Sequence, residues 1–352
     1  METKMIPVNE LQPGNVLSDQ VMTLTGKVLL GKEVVLSERT ISLLTMWDIS
    51  HVYIYGETEA VTPPAPMVAN NEDVLKNFMS FFSDYDTVVA NASQSFDFVR
   101  NQKKIPVQEL KDTSFSVYSS VLNSGPAVLE YLLISDYKLA DTVSRHSVMV
   151  AFICGIIGHQ MKLAENELKN LTLAALLHDI GKLVTGKEDV TGPEKHVITG
   201  GALLKDVGAI PPEIILSVLQ HHECMDGSGF PRGTEGNKIH LFARIIAVAN
   251  LFHTEAYHDE YSNPFPVLDL LSKEMFGKLD PAVCHPFIRQ IRDSLINNTV
   301  VLSDGRCAEV IFFHPNNSGY PIIRTDDNQI IDLSSANNVR ILHLSIPEYM
   351  AL

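Results

Sequence analysis

The 352-residue sequence predicts a mainly α protein: a helical bundle with a small N-terminal α+β unit and a small C-terminal β appendage. Three observations predict it. Helical periodicity dominates residues 71–297, residues 168–180 are apolar almost all round as in a helix buried within a bundle, and short β-rich runs are confined to the two ends. The implied division is 1–60 for the N-terminal unit, 61–70 for a linker, 71–297 for the helical domain and 298–352 for the appendage.

In chain order, Val28-Leu29-Leu30 and His51-Val52-Tyr53-Ile54-Tyr55 are rich in strand-forming residues. Residues 37–47 between them carry apolar side chains at helical spacing behind Ser37, a residue suited to capping. Thr62-Pro63-Pro64-Ala65-Pro66 can continue neither helix nor sheet and reads as a stiff linker. Within the helical domain, loops are expected at 186–193, 227–236 and 262–266. Beyond Asn298 come the runs Val300-Val301-Leu302, Glu309-Val310-Ile311-Phe312-Phe313 and Pro321-Ile322-Ile323. Asp304-Gly305 and Asn316-Asn317-Ser318-Gly319 break them as turns.

Composition narrows the function classes. Forty-two acidic against 27 basic residues give a net charge of −15, so no basic footprint for duplex nucleic acid or an anionic membrane is present. A polyanionic substrate would need local cations or metals. The start of the chain lacks the basic-then-apolar run of a signal peptide, and the longest apolar stretch, residues 148–157, is far short of the ~20 residues that span a bilayer. A soluble, cytoplasmic protein with no membrane partner is expected. The four cysteines show no CxxC pairing, so reduced thiols are expected, with Cys224 the one most open to oxidation.

The chemistry lies in His146, His178-Asp179, His196, His221-His222 and Asn250. A lone buried histidine is more often a hydrogen-bonded core residue than a ligand. Two adjacent polar pairs in apolar helical surroundings are harder to explain that way, because unpaired polar groups there are costly. Imidazoles with one carboxylate suit transition metals, and the two oxygens of Asp179 can bridge two ions in a helical core. Such a pair of ions suits phosphoester hydrolysis, with Asp179 and Lys182 as the catalytic residues and Lys182 placed to meet phosphate. His159, His240, His253, His258 and His285 are assigned to surface or packing.

Arg145-His146-Ser147, His178-Asp179-Ile180-Gly181-Lys182, Lys195-His196 and His221-His222-Glu223-Cys224-Met225-Asp226-Gly227-Ser228-Gly229-Phe230-Pro231 together resemble the HD-GYP subgroup of the HD superfamily. The resemblance covers residues 129–291, and flanking segments at 10–52 and around 302–305 and 331–333 are similar to regions found beside such domains. It implies an HD-superfamily helical bundle with two divalent ions, iron or manganese and by ligand type also zinc. It implies hydrolysis of the bacterial second messenger cyclic di-GMP, or a related cyclic dinucleotide, to pGpG or GMP. Carried over by position, His146, His178, Asp179 and Asn250 would surround one metal, and Asp179, His196, His221 and His222 the other. Lys182, Asp226, Gly227, Gly229, Phe230 and Pro231 would meet substrate, and the Gly-Phe-Pro loop would face signalling proteins such as diguanylate cyclases.

The chain departs from the family pattern at named places. Asn250 stands where the family has aspartate, which weakens the first metal set, and Phe230 replaces tyrosine. Thr142 stands where some members carry glutamate for a third metal, so two metals are expected. No Lys or Arg lies between Arg244 and Lys273, where Glu255, Asp259 and Glu260 stand instead. The stretch from His178 to His196 is short, which implies a trimmed lid over residues 184–193. A cyclic-dinucleotide phosphodiesterase is therefore weighed against a degenerate sensor or interaction module that keeps its metals, and against a hydrolase of other phosphoesters.

Overall fold

The computed structural model describes residues 3–12, 14–19, 21–22, 28–30, 36, 41, 44, 49–55, 71–134, 143–185, 192, 194–256, 263–314, 319–336 and 338–345. The chain divides into two compact units, residues 1–74 and 75–352. In the first, β1 (Thr3–Pro7) pairs antiparallel with β4 (His51–Tyr55), and β2 (Val21–Met22) with β3 (Val28–Leu30). Val52 and Ile54 alternate inward along β4 and pack with Leu17, Leu36 and Leu44 in a small apolar core. Ile41 and Leu44 are helical. The rest of the 37–47 segment and the proline-rich linker lie outside the described residues.

The helices among the described residues are α1 (Asn71–Gln102), α2 (Val107–Ile134), α3 (Val143–Gln160), α4 (Glu165–Leu177), α5 (Lys195–Val207), α6 (Pro212–Gln220), α7 (Leu241–Ala256), α8 (Pro264–Glu274) and α9 (Pro281–Leu295). The centre of the bundle is α3 and α4, packed on each other, on α2 and on α7. Every residue of α3 from Ser147 to Gly158 is buried, and so is every residue of α4 from Leu171 to Leu177. Helices enclosed on all sides need apolar side chains on all faces, which is the pattern read in the sequence. No helix among the described residues is long and apolar enough to cross a membrane.

Helix α8 begins at Pro264, inside the loop expected at 262–266, with Asn263 as its N-cap accepting from the Phe265 nitrogen. A second local feature also differs from expectation. The α-helix carrying the His-Asp pair stops at His178, Asp179 leaves it with φ −102° and ψ 13°, and Ile180–Leu183 form a 3-10 turn. The reason is close packing by α5. A Cβ on Gly181 would lie 2.0 Å from the His196 carbonyl oxygen and 2.7 Å from the Gly200 nitrogen, so only glycine lets α5 rest on this turn.

The C-terminal strands form one antiparallel sheet in the order β8 (Ile330–Asp332), β7 (Pro321–Thr325), β6 (Cys307–Phe313), β5 (Thr299–Leu302), β9 (Ile341–Leu344). Val300, Leu302, Val310, Phe313 and Ile323 join the same apolar cluster as the helices. Strands β8 and β9 were not expected, since their three and four residues are too brief to show alternation. The four cysteines are free thiols.

Candidate metal centre

Helix ends and one helix face deliver the candidate ligands. His146 lies in the first turn of α3, His178 caps the C-terminus of α4, and His196 is the second residue of α5. Proline opens α6, whose C-cap is His221, and His222 follows it. Asn250 lies on α7. Rings from α3, α4, α5 and α6 thus converge on Asp179, and Asn250 of α7 shares a cavity wall with it.

Each oxygen of that carboxylate faces its own set of rings. Asp179 Oδ2 lies 3.3 Å from His178 Nε2, 3.6 Å from His146 Nε2 and 2.6 Å from Lys182 Nζ. Its Oδ1 lies 3.3 Å from His196 Nε2 and 3.7 Å from His221 Nε2. Two groups result in which ligand atoms lie within 4.8 Å of one another: His146, His178 and Asp179, and Asp179, His196, His221 and His222.

The donor chemistry fits metal ions. His178 Nδ1 lies 2.7 Å from the Ala175 carbonyl oxygen and His221 Nδ1 lies 2.8 Å from that of Val218. A carbonyl only accepts, so each Nδ1 carries the hydrogen, which leaves each Nε2 as the ring atom that can turn a lone pair to the site. His221 Nε2 and Asp179 Oδ1 are buried and find no hydrogen-bond partner among the described residues. Two acceptors left facing one another cost free energy, and a cation between them removes that cost.

Titration behaviour agrees. Burial works to raise the Asp179 carboxyl, but His178, Lys182 and His221 outweigh it and hold it well below the usual carboxylate range. Burial, then the neighbouring His178 and His253, lowers His146 to about 2. Burial and then His196 lower His222 to about 4, while burial and then His222 hold His221 well below 6.5. The downward shifts of His146, His221 and His222 beside a low-lying carboxyl run in the direction that metal binding requires.

Beside the cluster lies a cavity of about 800 Å³, within the ~300–1,000 Å³ typical of small-molecule sites. Its wall holds His146, Asp179, Lys182, His221, His222 and Asn250 from the expected set, together with Glu255, Glu274 and Lys278. His178 and His196 are not among the residues of that wall. Asp259 and Glu260, the shortened lid apart from residues 184, 185 and 192, and Thr142 fall outside the described residues.

The loop after the histidine doublet packs against the site's ligands. None of Asp226, Gly227, Gly229, Phe230 and Pro231 lines the cavity. Phe230 instead stacks on His222, with ring centroids 4.6 Å apart and planes 22° from parallel, a contact that needs no phenol hydroxyl. Gly229 passes so near the doublet that a Cβ there would lie 2.4 Å from both the His222 oxygen and the Cys224 nitrogen. Asp226 accepts hydrogen bonds from the nitrogen and hydroxyl of Ser228. Buried Glu223 accepts from the nitrogens of Arg232 and Thr234 at 2.9 Å each, so the loop closes on its own carboxylate and braces His222 from behind.

Three residues of the site escaped sequence reasoning. His253, assigned to surface or packing, is buried with its Nδ1 3.0 Å from His146 Nδ1. It follows Asn250 by three residues, so one turn of α7 presents both on one side, and that spacing was the available signal. Lys278 and Glu274 had none, because they reach the cavity through tertiary packing after α8. His159 and His285 are exposed, as expected, and His258 lies outside the described residues.

Comparison with known proteins supplies relatives. Residues 128–265 match the family model described as HD domain, a span that includes every ligand candidate and His253 but neither Glu274 nor Lys278. A cyclic di-GMP phosphodiesterase of Pseudomonas aeruginosa is 27% identical over 231 residues, 61% of this chain and 55% of that protein. A second cyclic di-GMP phosphodiesterase, from Borreliella burgdorferi, is 23% identical over 87% of this chain and 84% of its own length. A 3′3′-cGAMP-specific phosphodiesterase of Vibrio cholerae is 28% identical over 44% of this chain and 37% of its own length. The chain thus spans about half of the Pseudomonas relative and less of the Vibrio one.

Proposed function

Starting from an HD domain of the HD-GYP kind in residues 128–265, we propose that the chain hydrolyses a phosphodiester bond of cyclic di-GMP or a related 3′3′ cyclic dinucleotide. The observation that carries this reading is Asp179, a buried carboxylate whose two oxygens face two different sets of imidazole nitrogens. His146, His178, Asp179 and Asn250 would hold one divalent ion, and Asp179, His196, His221 and His222 the other, with iron or manganese the preferred metals. Bound there, the two ions would supply Lewis-acid polarisation of a phosphate and an activated water for its hydrolysis.

The protein's own groups prepare the rest. Lys182 Nζ, 2.6 Å from Asp179 Oδ2, holds that carboxylate ionised and keeps further N–H donors for a phosphate oxygen entering the cavity. Carbonyls of Ala175 and Val218 fix the His178 and His221 rings, so little reorganisation remains when ligands bind. Phe230 and the Glu223-closed loop keep water from the back of His222. Product would be the linear dinucleotide pGpG or the mononucleotide GMP when cyclic di-GMP is the substrate.

The test is turnover of cyclic di-GMP and 3′3′-cGAMP by protein loaded anaerobically with Fe(II) or Mn(II), with metal content measured on the same sample. Hydrolysis that vanishes in Asp179→Asn together with most of the bound metal is the expected result. Two bound equivalents with no turnover of either dinucleotide would sink it.

A second reading, a binding module that keeps its metals, draws on one observation: neutral Asn250 and acidic Glu255 and Glu274 share the cavity wall. Asn250→Asp separates the two. A tenfold or larger gain in hydrolysis marks a weakened enzyme, and unchanged inactivity marks a sensor.

A further inference from the structure

We infer that His253 is the residue that sets the ring tautomer of His146 and thereby makes it a metal ligand, a positioning role that rests on the metal sites of the proposed function. His178 and His221 each have a main-chain carbonyl three residues back to hold the hydrogen on Nδ1. Among the described residues no main-chain carbonyl is bonded to His146 Nδ1; what stands there is His253 Nδ1, 3.0 Å away, with the rings 67° from parallel. His253 is 2% exposed, so its ring meets His146 from the buried side.

The bonding choice is binary. Of two ring nitrogens in contact, one donates and the other accepts. When His146 donates from Nδ1, its Nε2 is a bare lone pair. That atom then converges with His178 Nε2, 3.1 Å away, and Asp179 Oδ2, 3.6 Å away, as a ligand. When His253 donates instead, His146 carries its hydrogen on Nε2, which points at His178 Nε2 and closes the first metal set. Both arrangements keep both rings neutral, so passing between them moves each ring's single hydrogen from one nitrogen to the other and releases no net proton. A residue able to accept at the position of His253 Nδ1 therefore favours the ligand form of His146, and an apolar residue there removes that preference. The second candidate set, Asp179, His196, His221 and His222, does not include His146, the ring that His253 touches.

The experiment compares wild-type protein with His253→Leu, which removes the acceptor, and His253→Asn, whose side-chain oxygen can restore one near the Nδ1 position. Mn(II) and Zn(II) titrations give affinity and stoichiometry, and long-range ¹H–¹⁵N spectra of the Zn(II)-loaded wild type report which nitrogen of His146 carries hydrogen. The expected result is a loss of about 10–100-fold in affinity for one of the two equivalents in His253→Leu. His253→Asn should recover most of it, and the loaded wild type should show the hydrogen on His146 Nδ1. Two equivalents bound as tightly by folded His253→Leu as by wild type would overturn the assignment. So would a His146 hydrogen on Nε2 in the loaded protein, an outcome that needs no variant to fold. Wild-type protein that binds two ions in this pattern but hydrolyses no dinucleotide would break the phosphodiesterase reading and leave the role of His253 standing. Failure of wild type to bind any metal would end both.

Discussion

His146, His221 and His222 are packed where a protonated ring has little solvation, and this has a thermodynamic consequence. Their folded-state values lie below the ordinary 6.5, at about 2 for His146 and about 4 for His222. Above pH 6.5 folded and unfolded chains are both neutral at these positions. Below it the unfolded chain takes up protons that the folded one refuses, so stability falls as pH drops from about 6.5 towards about 4. The low-lying Asp179 carboxyl adds a loss only below the ordinary carboxylate value of 3.8, outside that window. Chelator-treated protein should therefore melt at a lower temperature at pH 5 than at pH 7.5, and saturating Mn(II) should reduce the difference by occupying the rings. A flat melting temperature across that range would show that the rings are not buried as neutral groups. Residues with chemistry written in local sequence, the adjacent His178-Asp179 and His221-His222 pairs above all, were legible before the fold was known. His253 was not, because its meaning comes from His146, 107 positions away in the chain.

At the scale of elements, the cluster depends on how closely α5 approaches the turn that follows α4. Gly181 controls that approach: a Cβ there meets backbone atoms of His196 and Gly200, which cannot swing aside as a flexible side chain could. Gly181→Ala should cost about 1–3 kcal/mol or more through overpacking, measured by urea unfolding. It should also weaken the metal set that contains His196, because relief of the clash moves α5 away from Asp179. Full metal affinity in a destabilised Gly181→Ala protein would mean that α5 shifts without carrying His196 with it. The long buried helices were readable because enclosure demands apolar residues on every face. The end of α4 at His178 was not, since periodicity continues through residue 180 and only tight packing by α5 explains the break. Strands β8 and β9 escaped for a similar reason, their pairing in the sheet being set by neighbours rather than by their own short sequences.

The whole molecule carries a net charge of −15, yet the proposed substrate is an anion with two phosphates. Long-range repulsion therefore works against binding, and affinity must come from the cavity itself. Sequence inspection finds no cation between Arg244 and Lys273, but folding places Lys278 in the cavity wall with Lys182. The Lys278 carbonyl accepts from Met225 at 2.9 Å, which ties its backbone to the loop behind the histidine doublet. Its ammonium is engaged by Glu274 at 3.0 Å, a pair open enough to solvent to exchange partners at little cost. A phosphate arriving beside Lys278 has to displace that carboxylate. Removing Glu274 should thus help the substrate and removing Lys278 should hurt it, by about 1 kcal/mol per close charge pair in a watery setting, or roughly fivefold in KM. Glu274→Gln should lower KM for cyclic di-GMP, Lys278→Ala should raise it, and both effects should shrink as salt screens the site. The comparison that localises the effect is bis(p-nitrophenyl) phosphate, which has a single phosphate and should not respond to either substitution. Equal changes for both substrates would mean that Lys278 acts on the reacting phosphate, and no change for either would place the second phosphate against a different wall.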